Sequence, residues 1–165
     1  MPMLLASGTG TLMGPSRPRL PLPPLLALDE VWDLSSGQPG GAKARTGLAR
    51  LDWVFASHFS EDPVLPGSFM VEALLQLLGV VALGHGYEGR PRAVGIGQIR
   101  FLRADTPEDG SIEFEISVKR ASAVRQMLVA DGEARVGTQP CVRINGIALR
   151  VMRAVSNNPS EGQRV

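Results

Sequence analysis

The longest apolar run in the chain, residues 69–83, admits only Glu72, Gln76 and Gly79 outside the apolar types. A segment apolar on nearly every face predicts a buried helix. Pro66-Gly67 turns the chain into it, and Gly84-His85-Gly86-Tyr87-Glu88-Gly89 ends it, because glycine tolerates the left-handed backbone of a helix terminus. Beyond the helix the period falls to two. Residues 93–103 and 111–120 alternate, most clearly in Ile112-Glu113-Phe114-Glu115-Ile116-Ser117-Val118, and Asp109-Gly110 between them is a hairpin signal. Residues 124–136 and 142–152 supply two more strands, each with an internal turn signal: Asp131-Gly132, which alone suggests another hairpin, and Asn145-Gly146, which fits a turn or a bulge. Before the helix, residues 25–34 fit a short helix or a strand. Residues 37–41 read as a loop, and residues 42–51 as an edge strand with Lys43, Arg45 and Arg50 as solvated charges. An antiparallel sheet curved around one apolar helix buries both, which makes the fold α+β.

The ends of the chain differ from this middle. Residues 1–24 are rich in Gly, Ser and Pro (Pro15, Pro18, Pro21, Pro23 and Pro24), which predicts an extended or disordered leader. Residues 154–165 read as a loose polar tail, leaving one domain over 25–153. A length of 165 residues with 44% hydrophobic content suits one core, and a net charge of +1 calls for neither nucleic acid nor a membrane surface. The single cysteine, Cys141, excludes an intrachain disulfide and fits a reducing compartment. The N-terminus lacks the pattern of a secretion signal, and the apolar helix is expected to fall short of the ~20 residues that span a bilayer. The expected location is cytoplasmic, without membrane insertion.

Glu72 is the oddest residue in the pattern. A carboxylate within an apolar helix is costly unless paired, hydrogen-bonded or protonated. One reading is a helix-start carboxylate favoured by the N-terminal dipole. The other rests on its neighbours Phe69, Met70, Val71, Ala73, Leu74 and Leu75, which predict burial and hence a protonated acid. Gln76 lies one turn on, on the same face, placed to hold that carboxyl group or to sit as a polar core residue satisfied by backbone. Fourteen residues before Glu72 stands His58, separated from the helix by a loop stiffened at Pro63 and Pro66. A buried protonated Glu beside a histidine is an acid/base pair. Other chemistries lack their motifs. Gly95-Ile96-Gly97 misses the third glycine of a dinucleotide fingerprint, and Gly40-Gly41-Ala42-Lys43 lacks the ending of a phosphate loop. Two histidines without an acidic cluster make no catalytic metal site, and no Gly-x-Ser-x-Gly elbow occurs.

His58-Phe59-Ser60-Glu61-Asp62-Pro63-Val64-Leu65-Pro66-Gly67, followed by Glu72 and Gln76, resembles the β-hydroxyacyl-thioester dehydratases of the hotdog fold. The upstream Trp53-Val54-Phe55-Ala56-Ser57 favours the β-hydroxydecanoyl type, whose relatives include dehydratase domains of polyunsaturated-fatty-acid and polyketide synthases. The resemblance covers residues 20–153, including Val94-Gly95-Ile96-Gly97-Gln98-Ile99-Arg100-Phe101 and Lys119-Arg120. It implies a single hotdog domain, a curved antiparallel sheet wrapped around the central helix. Residues 25–34 would then enter the sheet as a first strand, and Asp131-Gly132 would be a bulge, with the turn at 137–140.

The same resemblance implies a function: loss of water from β-hydroxyacyl thioesters carried on acyl carrier protein, in fatty acid or polyketide biosynthesis. His58 would take the α-proton, Glu72 would protonate the leaving hydroxyl, and the Gly67 N–H would receive the thioester oxygen, with Val64 and Gln76 in support. No cofactor is expected beyond the phosphopantetheine arm that carries the substrate. The family forms homodimers in which His and acid come from opposite subunits. Lys119, Arg120 and Arg125, together with Arg90, Arg92, Arg100 and Arg103, read either as a docking surface for an acidic carrier or as ordinary strand-end charges. The dehydratase/isomerase of the family has aspartate where this chain has Glu72 and cysteine where it has Ser68, which leaves double-bond isomerisation open. The same pattern also suits a hotdog thioesterase, with Glu72 activating water, or a non-catalytic hotdog that binds acyl chains.

Overall fold

The computed structural model describes residues 3–4, 20–21, 24–35 and 40–152. The tail and most of the leader lie outside them. Seven strands form one antiparallel sheet: β1 (Met3–Leu4), β2 (Glu30–Ser35), β3 (Gly41–Gly47), β4 (Arg90–Phe101), β5 (Ser111–Ser122), β6 (Met127–Val136) and β7 (Gln139–Met152). The helices are a short α1 (Asp52–Phe55) and the long α2 (Gly67–Gly84). Strand order is β1-β2-β3-β5-β6-β7-β4, so the sheet is the curved wrapper and α2 its filling, the hotdog arrangement. Alternation is regular through β5 where it faces the helix, and in β7 it is interrupted between Ile144 and Ile147. Ile112, Phe114, Ile116 and Val118 of β5 and Ile144, Ile147, Leu149 and Val151 of β7 are buried with Leu74, Leu77, Leu78 and Val81 of α2. Each such side chain contributes roughly 1.5–3 kcal/mol of apolar burial.

Several expectations change. β3 is interior, between β2 and β5, so residues 42–51 do not form an edge. Its charges are paired, Arg45 with Glu30 at 2.8 Å and Lys43 with Asp33 at 3.8 Å. Arg50 follows in a 3-10 turn, bound to Asp29 and, at 2.8 Å, to the Leu26 carbonyl. Asp109-Gly110 does not close a hairpin, because β4 and β5 lie apart and the connection crosses to the far side of the sheet. Asp109 instead ends a 3-10 turn, caps the Thr106 N–H at 2.8 Å and grips Arg103 with both oxygens. Asp131-Gly132 lies within β6, as the family resemblance implies, but it is not itself the bulge. Its pairing with β5 is regular, and the extra residue in the β6–β7 register lies in β7 between Ile144 and Ile147, while Gly137 turns the chain into β7. Asn145-Gly146 also lies within its strand. Gly146 has φ +82° and donates its N–H to Asp131. The first strand before β3 is β2, but Met3–Leu4 of the leader adds one more.

Helix α2 is long and apolar enough, by length and composition, to cross a membrane, contrary to the expectation that it falls short. Inside the fold 56% of it is buried, as the core helix of a sheet-wrapped domain must be. The exceptions are concentrated in its first half, where Ser68 and Glu72 are exposed and Val71 and Leu75 only half-covered. At the sheet's free edge, β4 is open along almost its whole length. Val94, Ile96 and Phe101 are exposed there, and Leu102 just beyond.

Candidate active site

Helix α1 and the 3-10 turn before it deliver the chain to His58, whose N–H reaches the Phe55 carbonyl at 3.4 Å. The loop after it is closed by its own backbone. The Val64 N–H donates to the His58 carbonyl at 2.9 Å, and Phe59 and Asp62 exchange two bonds of 3.1 Å. The imidazole is held in the same loop, with Nδ1 3.0 Å from the Val64 carbonyl. A carbonyl only accepts, so Nδ1 is the donor in this contact, and Nε2 is the nitrogen left free to accept a proton. The Phe59 ring stacks on the imidazole with centroids 4.2 Å apart. The Leu65 N–H then bonds the Asp105 carbonyl at 2.7 Å, anchoring the loop to the segment after β4 just before Pro66-Gly67 starts α2. Val64 thus supports His58 through backbone on both sides, a role its side-chain type does not disclose.

No side chain caps the start of α2; the Phe69 N–H is taken by the Pro66 carbonyl at 2.9 Å, so an oxyanion there would meet the N–H groups of Gly67 and Ser68. Gly67 has a second reason to be glycine. A Cβ there would stand 2.4 Å from the Phe101 ring, which lies over this turn.

Glu72 is exposed, contrary to the expectation of burial: its face of α2 is the open one. A single chain therefore lacks the desolvation on which a protonated acid was argued. Gln76, by contrast, is buried, and its amide is fully used. Oε1 accepts the Ala27 N–H, while Nε2 donates to the Leu25 carbonyl and to Glu72 Oε1, all at 2.9 Å. Both readings of Gln76 hold at once, since backbone satisfies it and it orients the carboxylate. Among the described residues no hydrogen bond or ion pair joins His58 to Glu72.

The basic residues divide. Lys119, in the bulge of β5, pairs with Asp131 at 3.2 Å, and Arg120 beside it is exposed. Arg125 is exposed in the turn between β5 and β6, and the register places Met127, Arg150 and Arg92 side by side at the same end of the sheet. Arg90 is also there, whereas Arg100 lies at the other end opposite Arg143. Arg103 is not available for docking, because it is engaged by Asp105 at 3.0 Å and by Asp109 at 2.6 Å. A polar recess of about 240 Å³ opens on the outer face of β5–β7, beside Glu115, Asp131 and Arg143, away from His58.

Sequence reasoning passed over a buried cluster under the loop anchor. Asp105 is wholly buried beside Cys141, and neither carboxylate oxygen has a well-aligned hydrogen-bond donor. Burial raises the Asp105 carboxyl, against the opposing effects of the Cys141 thiol and the Arg103 charge. Burial, reinforced by Asp105, pushes the Cys141 thiol up to about 12. The available signal was an acid, Asp105, close after an apolar strand end, a weak pattern. Among the described residues no group of three His, Cys, Asp or Glu side chains is placed to hold a metal.

A long core helix wrapped by a curved antiparallel sheet defines the hotdog class. Residues 20–145 match the FabA-like domain, and the chain belongs to that family. Solved structures agree on the fold. The dehydratase heterocomplex ApeI:P from Xenorhabdus doucetiae aligns at TM-score 0.64 and 18% identity, over 81% of this chain and 87% of that one. AziG of S. sahachiroi aligns at TM-score 0.57 and 16% identity, over 75% and 90%. A hypothetical thioesterase protein with coenzyme A from Streptococcus pneumoniae aligns at 0.56 and 12%, over 75% and 87%. Dehydratases and thioesterases thus share this architecture.

Proposed function

We propose that the protein is a hydro-lyase that removes water from β-hydroxyacyl thioesters carried on acyl carrier protein, giving the 2-enoyl thioester in fatty acid or polyketide biosynthesis. The observation that carries the reading is the state of His58: Nδ1 is tied to the Val64 carbonyl, which leaves Nε2 as a base. His58 Nε2 takes the α-proton, and charge developing on the thioester oxygen meets the Gly67 N–H at the helix start. Glu72 gives its proton to the β-hydroxyl as the C–O bond breaks, and water leaves. The products are the enoyl thioester, an imidazolium and a carboxylate, and proton exchange with solvent restores the pair.

The same reading has two chains join along β4 into a homodimer. A twelve-residue edge strand with exposed Val94 and Ile96 is a template for pairing. The open face of α2 carrying Glu72 is the surface that a second chain would dry, which suits an acid that must arrive protonated. The acidic carrier docks at Lys119, Arg120 and Arg125, with Arg92 and Arg150 beside them. The reaction takes place in the cytoplasm and uses no cofactor of the protein's own.

The test is a continuous assay on a carrier-bound β-hydroxyacyl thioester. Growth of the conjugated enoyl absorbance without release of free thiol supports dehydration. Release of free carrier thiol with no enoyl signal would make the protein a thioesterase instead.

A further inference from the structure

Glu72 is reached, through Gln76, from a part of the chain remote from the loop and the helix. Residues 25–29 run as a strap across α2 before entering β2. The strap is bound on one side to the helix and on the other to β3 and the turn after it. On the helix side, the Ala27 N–H and the Leu25 carbonyl take opposite ends of the Gln76 amide. On the other side, the Thr46 hydroxyl donates to the Ala27 carbonyl and Arg50 Nη2 to the Leu26 carbonyl. Asp29 closes the strap, accepting the Gly47 N–H at 2.8 Å, pairing with Arg50 and donating its own N–H to the Arg45 carbonyl at 2.9 Å. Ala27 and Leu28 are fully buried, and Thr46 is 1% exposed, so water does not substitute for the two bonds at Ala27.

The strap removes any ambiguity in the amide. A backbone N–H can only donate and a carbonyl can only accept, so Gln76 must present oxygen to Ala27 and NH2 to Leu25. Its remaining N–H then points at Glu72 Oε1. An oxygen facing a donor is the poor place for a proton. When Glu72 is protonated, the proton therefore sits on Oε2.

We infer that the strap of residues 25–29, pinned by Thr46 and Arg50, is a positioning device that locks the Gln76 amide and so directs the proton of Glu72 to Oε2. Thr46 and Arg50 are positioning residues, and neither touches the reacting atoms. The catalytic half of this inference rests on the acid role proposed for Glu72, while the locking of the amide stands on the hydrogen bonds alone.

The test uses the full chain with Thr46→Val, Arg50→Met and Arg50→Lys, read two ways. The first readout is solvent exchange of the Gln76 side-chain amide protons by NMR, which needs no activity. Both Thr46→Val and Arg50→Met should speed that exchange, and Arg50→Lys should restore part of the protection. The second readout is kinetics. Here kcat should fall about tenfold with KM unchanged, the size expected for one lost orienting bond. The loss should vanish in a Glu72→Gln background, because the device acts only through that carboxyl group. If the Gln76 protons stay protected in both variants, the strap does not lock the amide and the inference is overturned. If they exchange freely while wild-type and variant kcat agree, the catalytic half is overturned. If wild type does not dehydrate, the dehydratase reading and with it the catalytic half fall, and amide exchange alone decides the locking. Two independent substitutions guard against one that merely misfolds, and circular dichroism of each checks the fold.

Discussion

Cys141 and Asp105 show how far burial alone decides chemistry at a single position. With its thiol pushed up to about 12 and no exposed surface, Cys141 is a core residue and not a nucleophile. It should resist an alkylating reagent in the native protein and react only on unfolding, which labelling with and without urea will show. Asp105 makes a pH-dependent contribution. Its carboxyl lies above the ordinary value of 3.8 in the folded state, so the native protein holds this proton more tightly than the unfolded chain. The stability it lends is complete below the unfolded value and is lost as pH rises through the folded one. Asp105→Asn does not titrate, so its stability relative to wild type should increase from pH 4 to pH 7 in thermal melts. Residue identity made some of this site legible. Gln76 stands out because polar groups are rare in the apolar helix, and His58 because of the loop motif it opens; the structure puts both in hydrogen bonds. Arg50 and Arg103 were not legible as partnered residues. Arg50 binds the Leu26 carbonyl 24 residues away, and the acid beside Arg103 is buried by a fold that local sequence does not display.

At the scale of elements, the helix was the easiest to read and the connections were the hardest. An apolar stretch of this length can fold in few other ways, and α2 runs within two residues of the expected bounds. Asp109-Gly110 misled because a turn signal reports local backbone and not which strands it joins. Here Gly110 has φ +74° but leads away from β4. The β4–β7 pairing that results depends on close backbone approach at Gly97, where a Cβ would stand 2.4 Å from the Asn145 carbonyl oxygen. Backbone cannot rotate aside as a side chain can. Gly97→Ala should therefore lower stability by about 1–3 kcal/mol in urea unfolding, the range for overpacked sites. Gly67→Ala meets only the exposed Phe101 ring and should cost clearly less.

For the whole molecule, the exposure of Glu72 is the decisive surprise, and the proposed dimer would account for it by covering that face with a second chain. Sequence pattern marks α2 as apolar all round, and the sheet of one chain covers only part of it. The expectation of burial rested on the apolar neighbours Phe69, Met70, Val71, Ala73, Leu74 and Leu75, of which Phe69, Val71 and Leu75 are themselves only partly covered in the single chain. In the proposed dimer, Ile96→Glu on the open edge should give a monomer by sedimentation and abolish turnover while α2 stays folded. Mixing the separately inactive His58→Ala and Glu72→Ala proteins should restore about a quarter of wild-type activity, since half the random dimers then hold one intact site of two. No recovery despite subunit exchange would put both residues of a site in one chain.

The most direct test of the central claim is the mass of a carrier-bound β-hydroxyacyl group after incubation with wild type, His58→Ala and Glu72→Gln. The account predicts loss of one water with wild type and an unchanged mass with either variant, a fall in rate of at least ~10²-fold, as expected for removal of a general acid or base. Water loss that survives either substitution, or an acyl group that stays hydrated with wild type across several chain lengths, would contradict it.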